Sequence, residues 1–172
     1  MFFDAFYHLF NHCYSFFMKN KIKFRVLLDS KESQDVFRDV EVLSDATFES
    51  LHTSILDAFE FQNGEMASFY LSNDEWTREE EITLMDMGVN SEREVWVMSD
   101  TTIGTHINKE KQKLIYIYDF FRMWTFLIEV QEISEPDSGV DYPHISLSYG
   151  EAPDQESKMP EDTFGSEPFN LN

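Results

Sequence analysis

Between positions 113 and 133 the apolar residues fall into two alternating runs joined by a short bend. In 114–120 both faces are apolar, with Leu114, Tyr116, Tyr118 and Phe120 on one and Ile115 and Ile117 on the other. A strand covered on both faces belongs in the middle of a sheet. Past the bend, Trp124, Phe126, Ile128 and Val130 share one face, and Thr125, Glu129 and Gln131 share the other. That alternation predicts a strand with one face on the core and one in water.

Upstream, 21–43 reads as a hairpin. Ile22, Phe24, Val26 and Leu28 alternate with Lys21, Lys23 and Arg25. On the return strand, Val36, Val40 and Val42 alternate with Phe37, Asp39, Glu41 and Leu43. The period then changes. Asp45 or Thr47 offers a helix cap, and Phe48, Leu51, Ile55, Leu56 and Phe59 recur at helical spacing up to a stop at Asn63-Gly64. His52 sits beside that stripe, where a hydrogen-bonded boundary position is expected. Shorter elements follow: strands at 67–71, 82–87 and 95–98, an acidic loop over 72–81 carrying Trp76, a turn at 88–90 and one or two helical turns in 101–108. Trp76 is expected to fold back over the core edge, because an indole buries so much area.

Composition changes the picture at both ends. The 172 residues carry a formal charge of -20, from 33 acidic and 13 basic side chains. Such a charge favours solubility and opposes nonspecific binding to phosphate backbones. The strip Lys19, Lys21, Lys23 and Arg25 resembles a nucleic-acid patch, but Asp39 and Glu41 on the neighbouring strand are placed to neutralise it. One cysteine, Cys13, excludes an intrachain disulfide. No apolar run is long enough for a membrane-spanning helix. Residues 1–17 are dense in aromatics yet lack the charged, aliphatic and small-residue regions of a signal peptide. They read as an extension upstream of Met18, with an amphipathic helix presenting Phe2, Phe3, Phe6, Leu9 and Phe10 as the alternative. His8, His12 and Cys13 have ligand-like spacing but no fourth partner, so no metal site is expected. All five prolines lie beyond Glu132. Acidic residues recur there against a single Lys158, and 142–149 can add an edge strand. From position 154 an acidic, disordered tail is expected. The domain therefore spans 18–153, flanked by 1–17 and 154–172.

No stretch carries chemistry above background. There is no nucleophile elbow, no phosphate loop, no dinucleotide fingerprint and no paired-cysteine or zinc-protease motif. The cluster 79–81 lacks the alternating ligands and glycine of a calcium loop. No cofactor is implied. One constellation stands out at the bend: Tyr118, Asp119, Arg122 and Trp124 could line a pocket, or Asp119 could hold the bend while Arg122 pairs with it.

Three motifs carry a resemblance. Val36-Phe37-Arg38, Asp45-Ala46-Thr47-Phe48 and Leu51-His52 are similar to a strand and helix start of the plasmid pRiA ORF-3-like family, whose members also occur as passenger proteins of insertion elements. Tyr118-Asp119-Phe120 and Trp124 match a second hallmark, in which Phe121 and Arg122 replace a glycine and an acid. Glu65-Met66-Ala67-Ser68-Phe69 stands where the family has a histidine pair. Tyr142-Pro143 and 150–153 resemble a closing motif. The resemblance covers residues 20–155 and implies an α+β domain with no assigned activity. It agrees with the order read from periodicity: a mixed, mostly antiparallel sheet with one main helix on one face, β-grasp-like, plus the acidic tail. The expected function is a cytosolic binding or adaptor domain without catalysis, with a protein as partner and with Arg38, His52, Tyr118, Asp119, Arg122 and Trp124 as binding residues. The alternatives are an accessory protein of mobile DNA, which needs uncompensated cations, and a hydrolytic or metal-dependent enzyme built around Asp119.

Overall fold

The computed structural model describes residues 19–29, 35–88 and 95–159. The candidate helix and the ligand-like trio in 1–17 lie outside the described residues, as does most of the turn at 88–90. The chain is α+β: the described residues form eight strands in one mixed sheet and two helices. Strand β1 (Lys21–Leu28) pairs antiparallel with β2 (Phe37–Leu43), and helix α1 (Phe48–Ala58) follows. Then come β3 (Ala67–Ser72), β4 (Arg78–Thr83), β5 (Trp96–Val97), the short helix α2 (Ile103–His106), β6 (Lys113–Tyr118), β7 (Trp124–Ser134) and β8 (His144–Tyr149). The spatial order is β5-β4-β3-β6-β7-β1-β2-β8, and among the described strands only the β4–β5 pair is parallel.

Strands β6 and β7 stand in the middle of this order, as their patterns require. Leu114 and Tyr116 are fully buried and Ile117 is 1% exposed. Trp124, Phe126, Ile128 and Val130 join the same apolar cluster as Phe48, Leu51, Ile55 and Leu56 of α1. Phe120 departs from the pattern. It lies in the bend, past the last ladder pair Tyr118↔Trp124, and is 40% exposed.

Helix α1 starts as expected, with the Thr47 side chain accepting from the Ser50 amide at 3.2 Å. Its end comes earlier than Asn63-Gly64. The helix closes at Ala58, where the Glu60 amide donates to Asp57 O and the Phe61 amide to Leu56 O. Glu60 takes the left-handed conformation at φ 59° that this double closure demands. A glycine is favoured there but not required, so the helix ends without one, ahead of Asn63-Gly64.

The acidic loop is also shorter than its composition suggests. Strand β4 begins at Arg78, and its charged side chains are spent on either side of the ladder. Glu81 accepts from Ser68 Oγ at 2.7 Å and Tyr70 OH at 3.0 Å, and Glu80 accepts from Trp96 Nε1 at 2.7 Å. The strand expected over 82–87 ends its pairing at Thr83, leaving Met85 and Met87 exposed. Trp76 is partly exposed at the loop tip, with Lys113 Nζ 5.0 Å from its ring centre.

On the sheet face away from α1, the basic strip is matched. Arg25 makes a two-point pair with Asp39 at 2.8 Å, Lys23 lies 3.0 Å from Glu41, and Lys21 lies 2.7 Å from Asp137.

Candidate functional site

The bend between β6 and β7 is built around Asp119. This residue is 1% exposed and adopts φ 55°, a conformation that Asp tolerates better than most. Its Oδ1 accepts from the Phe121 amide at 3.0 Å and the Arg122 amide at 3.1 Å, while Oδ2 accepts from Arg122 Nη1 at 3.0 Å. The Asp119 amide donates to Met66 O and its carbonyl accepts from Met123 N. Both carboxylate oxygens are thus engaged within the turn itself. Arg122 also pairs with Glu156, and the hydrogen bond to Asp119 holds its pKa above the ordinary value.

Tyr118 and Trp124 flank the same end of the sheet. The Tyr118 hydroxyl donates to Gln62 O at 2.5 Å, and burial raises its pKa. Trp124 Nε1 donates to Gln155 O at 3.1 Å, and Gln155 Oε1 accepts from the Gln62 amide at 2.6 Å. Lys158 Nζ donates to Met123 O at 2.5 Å and lies 5.3 Å from the Trp124 ring centre. Residues 154–158 therefore reach past Pro153 and tie the loop after α1 to the bend. Tyr118, Asp119, Arg122 and Trp124 form one hydrogen-bonded knot there.

Arg38 stands apart from that knot. It shares the core face of β2 with Val40 and is 5% exposed. Its guanidinium donates to Ala58 O at 2.8 Å, Phe37 O at 2.9 Å, Tyr149 O at 2.8 Å and Gly150 O at 3.2 Å. It also lies 4.9 Å from the Phe59 ring centre. Ala58 O is a free carbonyl at the negative end of the α1 dipole, so the charge is balanced by dipoles. The chain turns beside it at Gly150 (φ 74°), where a Cβ would come within 2.7 Å of Asp35 O. Arg38 thus locks helix, β2 and the end of β8 together.

His52 is 1% exposed. Its Nδ1 is 2.6 Å from the Tyr116 hydroxyl and its Nε2 is 3.4 Å from Asn63 Oδ1. Asn63 Oδ1 can only accept, so Nε2 carries the proton and Tyr116 donates to Nδ1. Burial lowers the His52 pKa, and burial raises that of Tyr116 well above its ordinary value. Both groups are neutral partners. Sequence reasoning did not single out Tyr116, Asn63 or Gln155.

His52 is among the residues lining a groove of about 510 Å³. Thr47, Glu49, Ser50 and Thr53 of the helix side line one wall, and Asn63, Leu84 and Met85 line the other. A second hollow of about 410 Å³ lies across the exposed ridge of α1, between Ser50, Thr53, Ser54 and Asp57 on the helix and Pro143 and Ile145 on the β8 side. Among the described residues no group of three or more His, Cys, Asp or Glu could hold a metal ion. No described helix is long and apolar enough to cross a membrane.

A family model described as plasmid pRiA4b ORF-3-like protein matches residues 20–167. No curated protein matches the chain. The crystal structure of a protein of unknown function, MM3350 from Methanosarcina mazei Go1, is similar over 86% of this chain and 79% of that one, with 15% identity and a TM-score of 0.70. At that identity the likeness is one of fold.

Proposed function

The chain belongs to the plasmid pRiA4b ORF-3-like family, and from that premise we propose that it is a cytosolic, non-catalytic protein-binding domain whose partner sits in the groove beside His52. The observation that carries this reading is that Met85 lines the groove and is 58% exposed, with Met87, 68% exposed, two residues further along the chain. Unbranched thioether side chains repack against varied partners at low cost, so exposed methionines at a groove mouth suit protein recognition. The helix wall contributes Glu49, and the chain carries a formal charge of -20. Its partner is therefore a basic protein surface with apolar residues at its centre.

The polar groups suit binding better than turnover. His52 is buried, neutral and engaged at both nitrogens. Asp119, on which a hydrolytic role would depend, has both oxygens on the bend and Arg122. The cations that a DNA-accessory role needs are committed as well: Lys19 is 2.6 Å from Asp45, Lys21 is 2.7 Å from Asp137, Lys23 is 3.0 Å from Glu41 and Arg25 is 2.8 Å from Asp39.

The test is site-specific photocrosslinking in the native cell, with the photoreactive residue at Met85 in one protein and at Phe121 in another. The reading expects one basic protein captured from Met85 and absent from Phe121. The captured protein, once purified, should bind more weakly as salt rises. Equal capture from both positions, or a low-salt gel shift with DNA, counts against it.

A further inference from the structure

We propose that β8 is a second docking surface, which takes an extended basic segment of a partner protein by strand addition. Among the described residues, strand β8 closes one margin of the sheet and pairs only with β2. Among the described residues no group outside that ladder bonds to the backbone of His144, Ile145, Ser146, Leu147 or Ser148. The opposite margin is β5, only two residues long. Sheets usually blunt a free margin with brevity, charge or a bulge; β8 carries one register shift, between its Leu147 and Ile145 pairings with β2. This strand has six residues, none of them Lys, Arg, Asp or Glu, with Leu147 44% and Tyr149 57% exposed. An uncharged strand with free backbone groups is a template for an added one.

The side chains around it define the occupant. In the β2–β8 register Leu147 opposes Asp39, whereas Ile145 opposes Val40 and lines the hollow of about 410 Å³ beside α1. A strand added along β8 would place alternate side chains over that hollow, where Asp57 supplies a carboxylate. Lysine or arginine fits there, with its stem on Ile145 and Pro143 and its charge toward Asp57. On the other face the added strand meets Leu147 and the Tyr149 ring, itself stacked on Phe37 at 5.1 Å. Exposed Asp141 precedes β8 and exposed Glu151 follows it. A second copy pairing antiparallel would set these acids against each other, on top of a formal charge of -20 per chain. The observations favour a basic heterologous segment. The surface does not depend on the His52 groove, and it provides the second face that an adaptor needs.

The experiment uses full-length ¹⁵N-labelled protein with methyl-labelled methionines. The probe is a short synthetic peptide alternating Lys and Val, with a Glu–Val peptide as control. The expected result is roughly tenfold slower amide exchange across β8 with the Lys peptide alone. Asp57→Lys should weaken its binding roughly tenfold while leaving the fold intact. Equal binding of both peptides, or no effect on β8, overturns the proposal. So does protection, in the free protein, of the β8 amides that face away from β2, whether from dimers at high concentration or within monomers. Shifts confined to the Met85 and Met87 methyls would also overturn it while leaving the groove reading in place.

Discussion

The Nδ1 atom of His52 lies 2.6 Å from the Tyr116 hydroxyl, joining α1 to the central strand β6 inside the core. Each group gives the other its buried partner. Tyr116→Phe strips His52 of a donor while keeping the ring volume. The expected loss is about 1–3 kcal/mol in urea denaturation, because a buried acceptor is left unpaired.

The same histidine gives stability a pH dependence of known sign. Burial lowers its pKa below the ordinary 6.5. The unfolded chain therefore binds the proton more readily than the folded one, and the contribution is complete above pH 6.5 and lost as pH falls through the lower folded value. Protonation of the many carboxylates pulls the other way in so acidic a chain, so the comparison is with His52→Gln. The difference in stability between the two proteins should shrink as pH is lowered below 6.5.

At the bend, Asp119→Asn keeps one oxygen for the two turn amides and tolerates the positive φ of 55°. It loses the ion pair with Arg122 and should cost about 1 kcal/mol. Asp119→Ala frees both amides and strains the backbone, and should cost about 2–4 kcal/mol. Chemical denaturation of the two variants orders them; equal costs would mean that the carboxylate does not hold the turn.

Arg38→Lys is not conservative here. A single ammonium cannot reach four carbonyls spread over α1, β2 and the end of β8. The expected cost is about 3 kcal/mol, since hydrogen bonds to charged groups contribute about 1.5–3 kcal/mol each and some are replaced by water. Hydrogen exchange should show β8 losing protection before β6 does.

Glu60→Gly should raise stability. The residue closes α1 at φ 59°, which costs a side-chain-bearing residue about 1 kcal/mol relative to glycine. Part of the gain is returned through the freer unfolded chain, leaving a net gain of about 0.5 kcal/mol.

The central strands were legible because Leu114 to Tyr118 is apolar on both faces and Trp124, Phe126, Ile128 and Val130 recur at every second position. Strand β4 was not, because Arg78, Glu79, Glu80 and Glu81 give no apolar alternation; the pairing with β3 places it. The Arg38 lock has a signal in the strand's alternation. The alternation putting Val36, Val40 and Val42 on the core puts Arg38 there too, and a buried guanidinium must find several acceptors. The His52–Tyr116 pair had none. Sixty-four positions separate the two residues, and only the crossing of α1 over the sheet brings them together.

The most direct measurement for the binding account is a methyl spectrum of methionine-labelled protein during titration with the partner captured at Met85. Met85 and Met87 should shift while fully buried Met98 stays fixed. Shifts at Met123 and Met159, with Met85 and Met87 unmoved, would contradict the account and place the partner at the bend instead.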